Sequence, residues 1–325
     1  MRAVYSDRLG PTETYQLGER PLPWPGPDEV RIRVRAAALG YADGLLAQGR
    51  YQVKPPVPFV PACEFAGEID AVGSAVTTLQ CGQRVCAQTL GGGLAEHAVA
   101  PISQVVPTPE PLSDIEAAAF WADYLTAFHA LSDRGRLQPF ETVLVLGAAD
   151  GVGLAAVQIA RLLGGHVIAA ASTEAKRAAA TAAGAHEVID YTAADWTDRL
   201  KQLTDARGVD VIFDPVGGAT FEAAFRRLAW GGRHLVLGFT GGPIPALPAN
   251  LPLLKGASLV GVDVRQFAMV HDIAKAKAAR GALAEHVRAG VLRPQVGAVY
   301  TINQFAQALA ACQDRNRIGK TVVTL

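Results

Sequence analysis

Residues 142–163 read TVLVLGAADGVGLAAVQIARLL. An apolar, β-branched run stops at Gly147, a short turn carries Gly151 and Gly153, and Val152, Ala155, Ala156, Ile159 and Leu163 then recur at helical spacing. The pattern is strand, glycine turn, helix. The first N–H groups of such a helix lack intrahelical acceptors, and the positive end of its dipole faces the turn, so the motif suits a diphosphate. Glycine lets the backbone approach the phosphates without a Cβ in the way. Asp150 sets a carboxylate inside this turn. Three arrangements are open to it: capping the N–H groups that follow, facing solvent while its backbone serves the diphosphate, or facing the diphosphate and weakening it.

The turn has the right surroundings. Strands are expected at 142–147, 166–171, 186–190, 209–214, 233–238 and 258–264, and helices near 151–163, 174–183, 195–205 and 219–229. Such alternation predicts an α/β fold with a parallel sheet and crossover helices on both faces, and six strands match a full Rossmann dinucleotide-binding domain. Residues 1–118 read instead as many short strands between Gly/Pro turns, among them 29–38 (EVRIRVRAAA) and 65–72 (FAGEIDAV), which predicts a small, partly closed β barrel. Residues 113–131 predict one helix, opened by a capping box of Ser113 and Glu116. Beyond 264 the alternation stops. A helix near 268–289, a strand at 299–302, a short helix near 303–312 and a last strand at 320–325 are expected to return to the β domain. The domains are therefore expected at 1–118, 119–264 and 265–325.

Half of the 325 residues are hydrophobic (50%), enough for sizeable cores. Lys+Arg and Asp+Glu are 30 each, and a net charge of zero gives no reason to expect nucleic acid or an anionic membrane as partner. The opening MRAVYSDRLG lacks the apolar core of a signal peptide, and four cysteines without a CxxC pair fit reduced thiols, so a cytoplasmic location is expected.

The second strand bears on the choice of nucleotide. An NAD site carries Asp or Glu about 20 residues past the turn, to accept from the ribose 2′-hydroxyl. Here the strand ends in Ala171-Ser172-Thr173, and Lys176 and Arg177 follow. A hydroxyl and cations suit a 2′-phosphate. Against this stands the reading of Glu174, Lys176 and Arg177 as the solvated face of the next helix. The missing carboxylate favours NADPH. Tyr191 has two readings, stacking near the adenosine or capping the sheet edge.

The whole chain resembles the zinc-independent quinone oxidoreductases (zeta-crystallin-like) of the medium-chain dehydrogenase/reductase superfamily. The resemblance rests on PFVPACEFAGEIDAVG (58–73), GGGLAEHAV (91–99), YLTAFHAL (124–131), VLVLGAADGVGLAAVQIA (143–160), GAHEVIDY (184–191), GVDVIFDPVGG (208–218), GGRHLVLGF (231–239) and GKTVV (319–323). It implies a GroES-like barrel joined by the C-terminal segment, a Rossmann domain, NADPH, a quinone or similar conjugated carbonyl as small-molecule substrate, and a homodimer. By resemblance, Thr126 lies near the nicotinamide, Gly147, Ala149, Asp150, Gly151 and Val152 form the diphosphate turn, and Ser172, Lys176 and Tyr191 hold the 2′-phosphate. Gly217 and Phe239 flank the cofactor, with Asn250 nearby, and Arg315 and Lys320 lie in the segment that closes over it. Tyr51 matches a tyrosine by the substrate and Asp43 an acidic position at the cleft. The chain departs from the family at Leu39-Gly40-Tyr41-Ala42-Asp43, where members carry Asn in a VNxxD segment, and Tyr41 partly fills the space of that amide. It departs again at Asp150 and at Ala62-Cys63.

Zinc is not expected. Related alcohol dehydrogenases draw thiolate and imidazole ligands from three segments, and the corresponding positions here are Gly40, Cys63 and Ala122. Cys63 reads as a reactive thiol or as a small buried side chain. Hydride transfer asks mainly for orientation, exclusion of water and donors near the acceptor oxygen, for which Tyr41, Tyr51 and Thr126 are candidates. Core packing is an equal reading for Tyr51. Two rival functions remain open: an enoyl or enone reductase, with acyl thioesters among its acceptors, and a non-catalytic NADPH-binding structural or RNA-binding protein.

Overall fold

A computed structural model describes all 325 residues, Met1–Leu325. The chain divides into two compact units, one of Met1–Ala122 with Ala284–Leu325, the other of Asp123–Leu283.

The second unit is built on a six-stranded sheet. Strand Thr142–Leu146 is flanked on one side by His166–Ala170 and then Glu187–Ile189, and on the other by Val209–Asp214, Leu228–Val236 and Ser258–Gly261. Every pairing is parallel. Numbered along the chain the order is 3-2-1-4-5-6, the dinucleotide-binding arrangement, with its reversal beside the first strand. Val143, Leu144, Val145 and Leu146 are all buried, because a strand inside such a sheet is covered on both faces. Helix Gly151–Leu162 buries Leu154, Ala155, Ala156, Val157, Ile159 and Ala160. Each large aliphatic side chain so buried stabilises the fold by about 1.5–3 kcal/mol.

Two boundaries of this unit differ most from the sequence reading. The expected helix over 219–229 ends as Thr220–Phe225, and strand Leu228–Val236 starts inside that range. Its pairing jumps from Val209↔Leu228 to Val211↔Arg233, so Trp230 is thrown out to solvent at a bulge beside Gly231, whose φ is +75°. A short apolar run beside paired glycines fits helix and strand alike, and the sheet partner decides. The second difference is the end of the unit, at Leu283 rather than 264. The ring of Phe267 stacks on His129 at 3.8 Å, and Lys275 Nζ lies 2.6 Å from Asp133 Oδ1. These contacts fasten the segment after the last strand to the π-helical turn His129–Arg134.

The first unit carries a seven-stranded, mostly antiparallel sheet. Its long strand Glu29–Leu39 pairs with Glu64–Val72 along its length, with His97–Pro101 at its start and with Lys320–Thr324 at its end. One strand shared among three neighbours curls the sheet toward a barrel, around Val30, Ile32, Val34, Phe65, Ile69 and Val85. Lys320–Thr324 also pairs, in parallel, with Val296–Thr301, so the C-terminal segment is part of this sheet. Ser113 and Glu116 form the expected capping box. The helix they open stops at Ala118, and a second begins at Trp121, with Phe120 fully buried at the break. No helix is long and apolar enough to cross a membrane.

Candidate nucleotide and active site

The glycine turn owes its shape to two close approaches. Gly147 leaves its strand with φ +61°, a conformation that disfavours side chains. A Cβ on Gly153 would lie 2.1 Å from the Gly147 carbonyl oxygen, so only glycine lets the first helical turn press on the strand exit. Asp150 is the N-cap. Its Oδ1 accepts the Gly153 N–H at 2.9 Å, and its carbonyl accepts that of Leu154 at 2.9 Å. Of the three arrangements open to Asp150, the structure selects the cap. The amides of Gly151 and Val152 precede any intrahelical acceptor, and Ala149 is buried beneath the turn.

At the tip of His166–Ala170 there is no carboxylate. Ser172 is half-buried, and Thr173 Oγ1 caps helix Glu174–Ala182 by accepting the Lys176 N–H at 3.3 Å. Lys176 is only 8% exposed, so it does not belong to a solvated helix face. Arg177 is committed to the sheet. It donates to the Ala171 carbonyl at 3.0 Å and pairs with Asp190 at 2.9 Å. The Thr192 hydroxyl and amide, with Arg177, hold the Asp190 carboxyl below its usual range. Tyr191 is half-buried and packs against the cluster of Leu144, Ile168, Ile189, Trp196 and Leu200.

On the other side of the central strand, Asp214 ends Val209–Asp214. One carboxylate oxygen accepts the amides of Val216 and Gly217, each at 2.8 Å. Gly217 and Gly218 both have φ +60°, and a Cβ on Gly217 would lie 2.9 Å from the Phe239 ring. Backbone bonds from Thr240 to Pro215 (3.2 Å) and from Gly241 to Val216 (2.7 Å) join the two loops, so Gly217 and Phe239 are neighbours. Asn250 is exposed at the start of helix Asn250–Lys255, and Thr126 is half-buried on helix Trp121–Phe128. The sequence reading passed over Asp214, although an Asp followed by Pro-Val-Gly-Gly is the signal of a side chain folding back on its own turn.

The first unit gathers a second group. Asp43 is buried in the first turn of helix Tyr41–Ala47. Its Oδ2 accepts the Gly40 amide at 2.7 Å and its Oδ1 the Cys63 amide at 2.8 Å, so the carboxylate ties two chain segments together. Glu64, next to Cys63, accepts the Ala122 amide at 2.8 Å and faces Lys320 Nζ at 3.7 Å. Lys320 is thus buried beside a carboxylate, whereas Arg315 is exposed in the turn after helix Phe305–Ala311. Tyr41 opens its helix half-buried, and Tyr51 packs against the barrel core. Burial and the Asp43 carboxylate push the Cys63 thiol well above its ordinary value, which removes the reactive-thiolate reading.

This donor set does not fit a catalytic zinc. Gly40 and Ala122 carry no side-chain donor, which leaves Cys63 as a single soft ligand, too few to hold the ion. A Cβ on Gly40 would lie 3.3 Å from Lys320 Nζ, so an ammonium crowds the place of a ligand side chain. No group of three or more His, Cys, Asp or Glu is arranged to hold a metal.

Comparison with known proteins fits both units. Residues 26–110 match the alcohol dehydrogenase GroES-like domain and residues 151–279 the family described as zinc-binding dehydrogenase. The chain is 35% identical to rat quinone oxidoreductase-like protein 2 over 99% of its own length and 91% of the relative's. It is 33% identical to pig quinone oxidoreductase over 100% and 98% of the two chains. The quinone oxidoreductase of Thermus thermophilus, solved alone and with NADPH, superposes with a TM-score of 0.87 at 35% identity, covering 100% of both chains. With a GroES-like unit, a Rossmann sheet and these relatives, the chain belongs to the medium-chain dehydrogenase/reductase superfamily, as an oxidoreductase of its quinone oxidoreductase-like group.

Proposed function

We propose that the chain is an NADPH-dependent reductase that transfers hydride to quinones or similar conjugated carbonyls without zinc. The observation that carries the cofactor is the tip of His166–Ala170, where a hydroxyl at Ser172 and a buried cation at Lys176 stand in place of the carboxylate that a 2′-hydroxyl requires. The relatives' names support the acceptor class.

The residues present fit the cofactor. The backbone of Gly147, Ala149, Asp150, Gly151 and Val152 would receive the diphosphate, as the close glycine packing at Gly153 supports. Ser172 and Lys176 would hold the 2′-phosphate, with Tyr191 beside the adenosine. Gly217, Phe239 and Thr126 would line the nicotinamide half. Bound NADPH supplies the hydride, while the protein orients and excludes water. Hydroxyls of Tyr41, Tyr51 and Thr126 are the candidate donors to an oxygen that gains charge. Asp43 spends both oxygens on backbone amides and therefore positions rather than moves protons. Lys320 lies beside Glu64, and Arg315 of the same segment is exposed.

A cytoplasmic homodimer completes the proposal. Ser258–Gly261 closes one end of the parallel sheet, and Leu259 on it is 47% exposed. Trp230, whose ring lies against Gly256, and Leu253 and Leu254 are also exposed. Such an edge with apolar neighbours suits a second copy of itself.

The test is steady-state kinetics with NADPH and NADH against quinones, α,β-unsaturated ketones and acyl thioesters. NADPH with quinones is expected to exceed the other combinations by about tenfold or more in kcat/KM, the gain from one well-made charged contact. Preference for NADH overturns the cofactor. Preference for unsaturated thioesters moves the chain to the enoyl reductase reading, and salt-sensitive RNA binding without turnover to the non-catalytic one.

A further inference from the structure

A histidine lies deep inside the parallel sheet, where nothing in the chemistry above uses it. His234, on strand Leu228–Val236, is fully buried, and its Nε2 lies 2.8 Å from Asp214 Oδ2. Its ring is walled by Phe221, 4.4 Å away and tilted 37°, and by Phe225, 5.9 Å away. Nδ1 is buried without a hydrogen-bond partner. The neutral tautomer with its proton on Nε2 satisfies this arrangement, since it donates to the carboxylate and leaves only a lone pair against the phenyl rings.

Asp214 thereby accepts three hydrogen bonds. Val216 and Gly217 donate to one oxygen and His234 to the other. Without the imidazole, Oδ2 would be a buried carboxylate oxygen with no donor, which is costly. The carboxyl would then turn to find another donor, which loosens its hold on the two amides. The loop those amides belong to contains Gly217 and Gly218, whose conformational freedom leaves its shape to be fixed by hydrogen bonds such as these.

We propose that His234 is a positioning residue, which through Asp214 holds the Val216–Gly217 loop in shape for the nicotinamide half of NADPH. The proposal rests on the NADPH reading. Sheet order gives it a direction: Asp214 and His234 lie on the two strands to one side of Thr142–Leu146, and Ser172 and Lys176 follow the strand on its other side. Loss of His234 should therefore weaken the whole dinucleotide and spare its adenosine half.

Calorimetric titration of NADPH and of 2′,5′-ADP into wild type, H234L and H234Q tests this, with thermal unfolding alongside. H234L is expected to raise the Kd for NADPH by about tenfold, the worth of one buried hydrogen bond to a charged group, and to leave that for 2′,5′-ADP within about twofold. H234Q, which keeps an N–H donor, is expected to recover most of the loss. A folded H234L with unchanged NADPH affinity, equal weakening of both ligands, or no recovery in H234Q overturns the proposal. If H234L does not fold, the wild-type imidazole decides: its Nε2–H resonance should shift with NADPH and stay put with 2′,5′-ADP, and no difference between the two overturns it. Wild type that binds neither ligand refutes the NADPH reading itself, and the proposal with it.

Discussion

Asp150 Oδ1 holds the Gly153 amide at 2.9 Å, three residues on, so the acidic residue in the glycine turn closes the helix start from within. Its charge also sits at the positive end of the helix dipole. D150A should cost about 1 kcal/mol of stability, as lost N-caps do, and D150N should cost less. Urea denaturation measures both. D150G should leave NADPH affinity within a factor of about three, well under 1 kcal/mol. Clear tightening in D150G would mean that the carboxylate opposes the diphosphate.

Gly153 has no room for a methyl group. With a Cβ 2.1 Å from the Gly147 carbonyl oxygen and 2.9 Å from Ala148 Cα, G153A must push helix from strand. A loss of about 3 kcal/mol is expected, at the upper end for overpacking, together with loss of NADPH binding. A stable, NADPH-binding G153A would show that the two segments can separate freely.

Lys176 is the residue on which the choice of nicotinamide cofactor turns. K176M keeps the aliphatic stem, which matters for a side chain 8% exposed. It should raise the KM for NADPH about tenfold and hardly alter that for NADH, because only the 2′-phosphate loses a partner. Equal changes for the two cofactors would assign Lys176 to packing.

Two buried thiols should make the protein sensitive to alkali. Burial pushes Cys86 and Cys312 up to about 12, whereas an unfolded thiol ionises near about 8.5. The folded chain keeps these protons and the unfolded chain releases them, so their contribution is complete below about pH 8.5 and is lost as pH rises toward the folded values. Each thiol then removes about 1.4 kcal/mol per pH unit. Denaturation curves between about pH 8.5 and 10.5 should flatten in C86A and in C312A. Slopes equal to wild type would count against burial of the protonated thiols.

Leu259 lies on the exposed edge strand of the parallel sheet. L259K places a charge where a second copy would pair, and should convert a dimer to a monomer at about micromolar concentration. Sedimentation velocity reads this directly. A monomeric wild type removes the dimer from the proposal.

The parts legible in the sequence were those whose cause is local. The run 142–147 and the spacing of Val152, Ala155, Ala156, Ile159 and Leu163 determine a strand and a helix by their own periods, and the capping box needs only Ser113 and Glu116, three residues apart. The absence of a carboxylate after Ala170 is likewise a matter of reading residues in order. What the sequence left open joined distant positions. Arg177 looked like a second phosphate ligand until the sheet set it beside Asp190. Strand pairing sets Lys320 beside Glu64, and Gly40 and Cys63 claim the two oxygens of Asp43, neither of which spacing along the chain reveals.

By itself, then, the sequence determined an alternating α/β unit with a glycine turn, a β-rich unit before it and the residue types offered at each strand end. Only tertiary structure decided which of those charges a ligand can use. Asp43 with Cys63 and Asp214 with His234 are each 20 residues apart, and no local rule links them. Periodicity records which face of an element is apolar, but a buried charge is satisfied by whichever chain segment the fold brings to it.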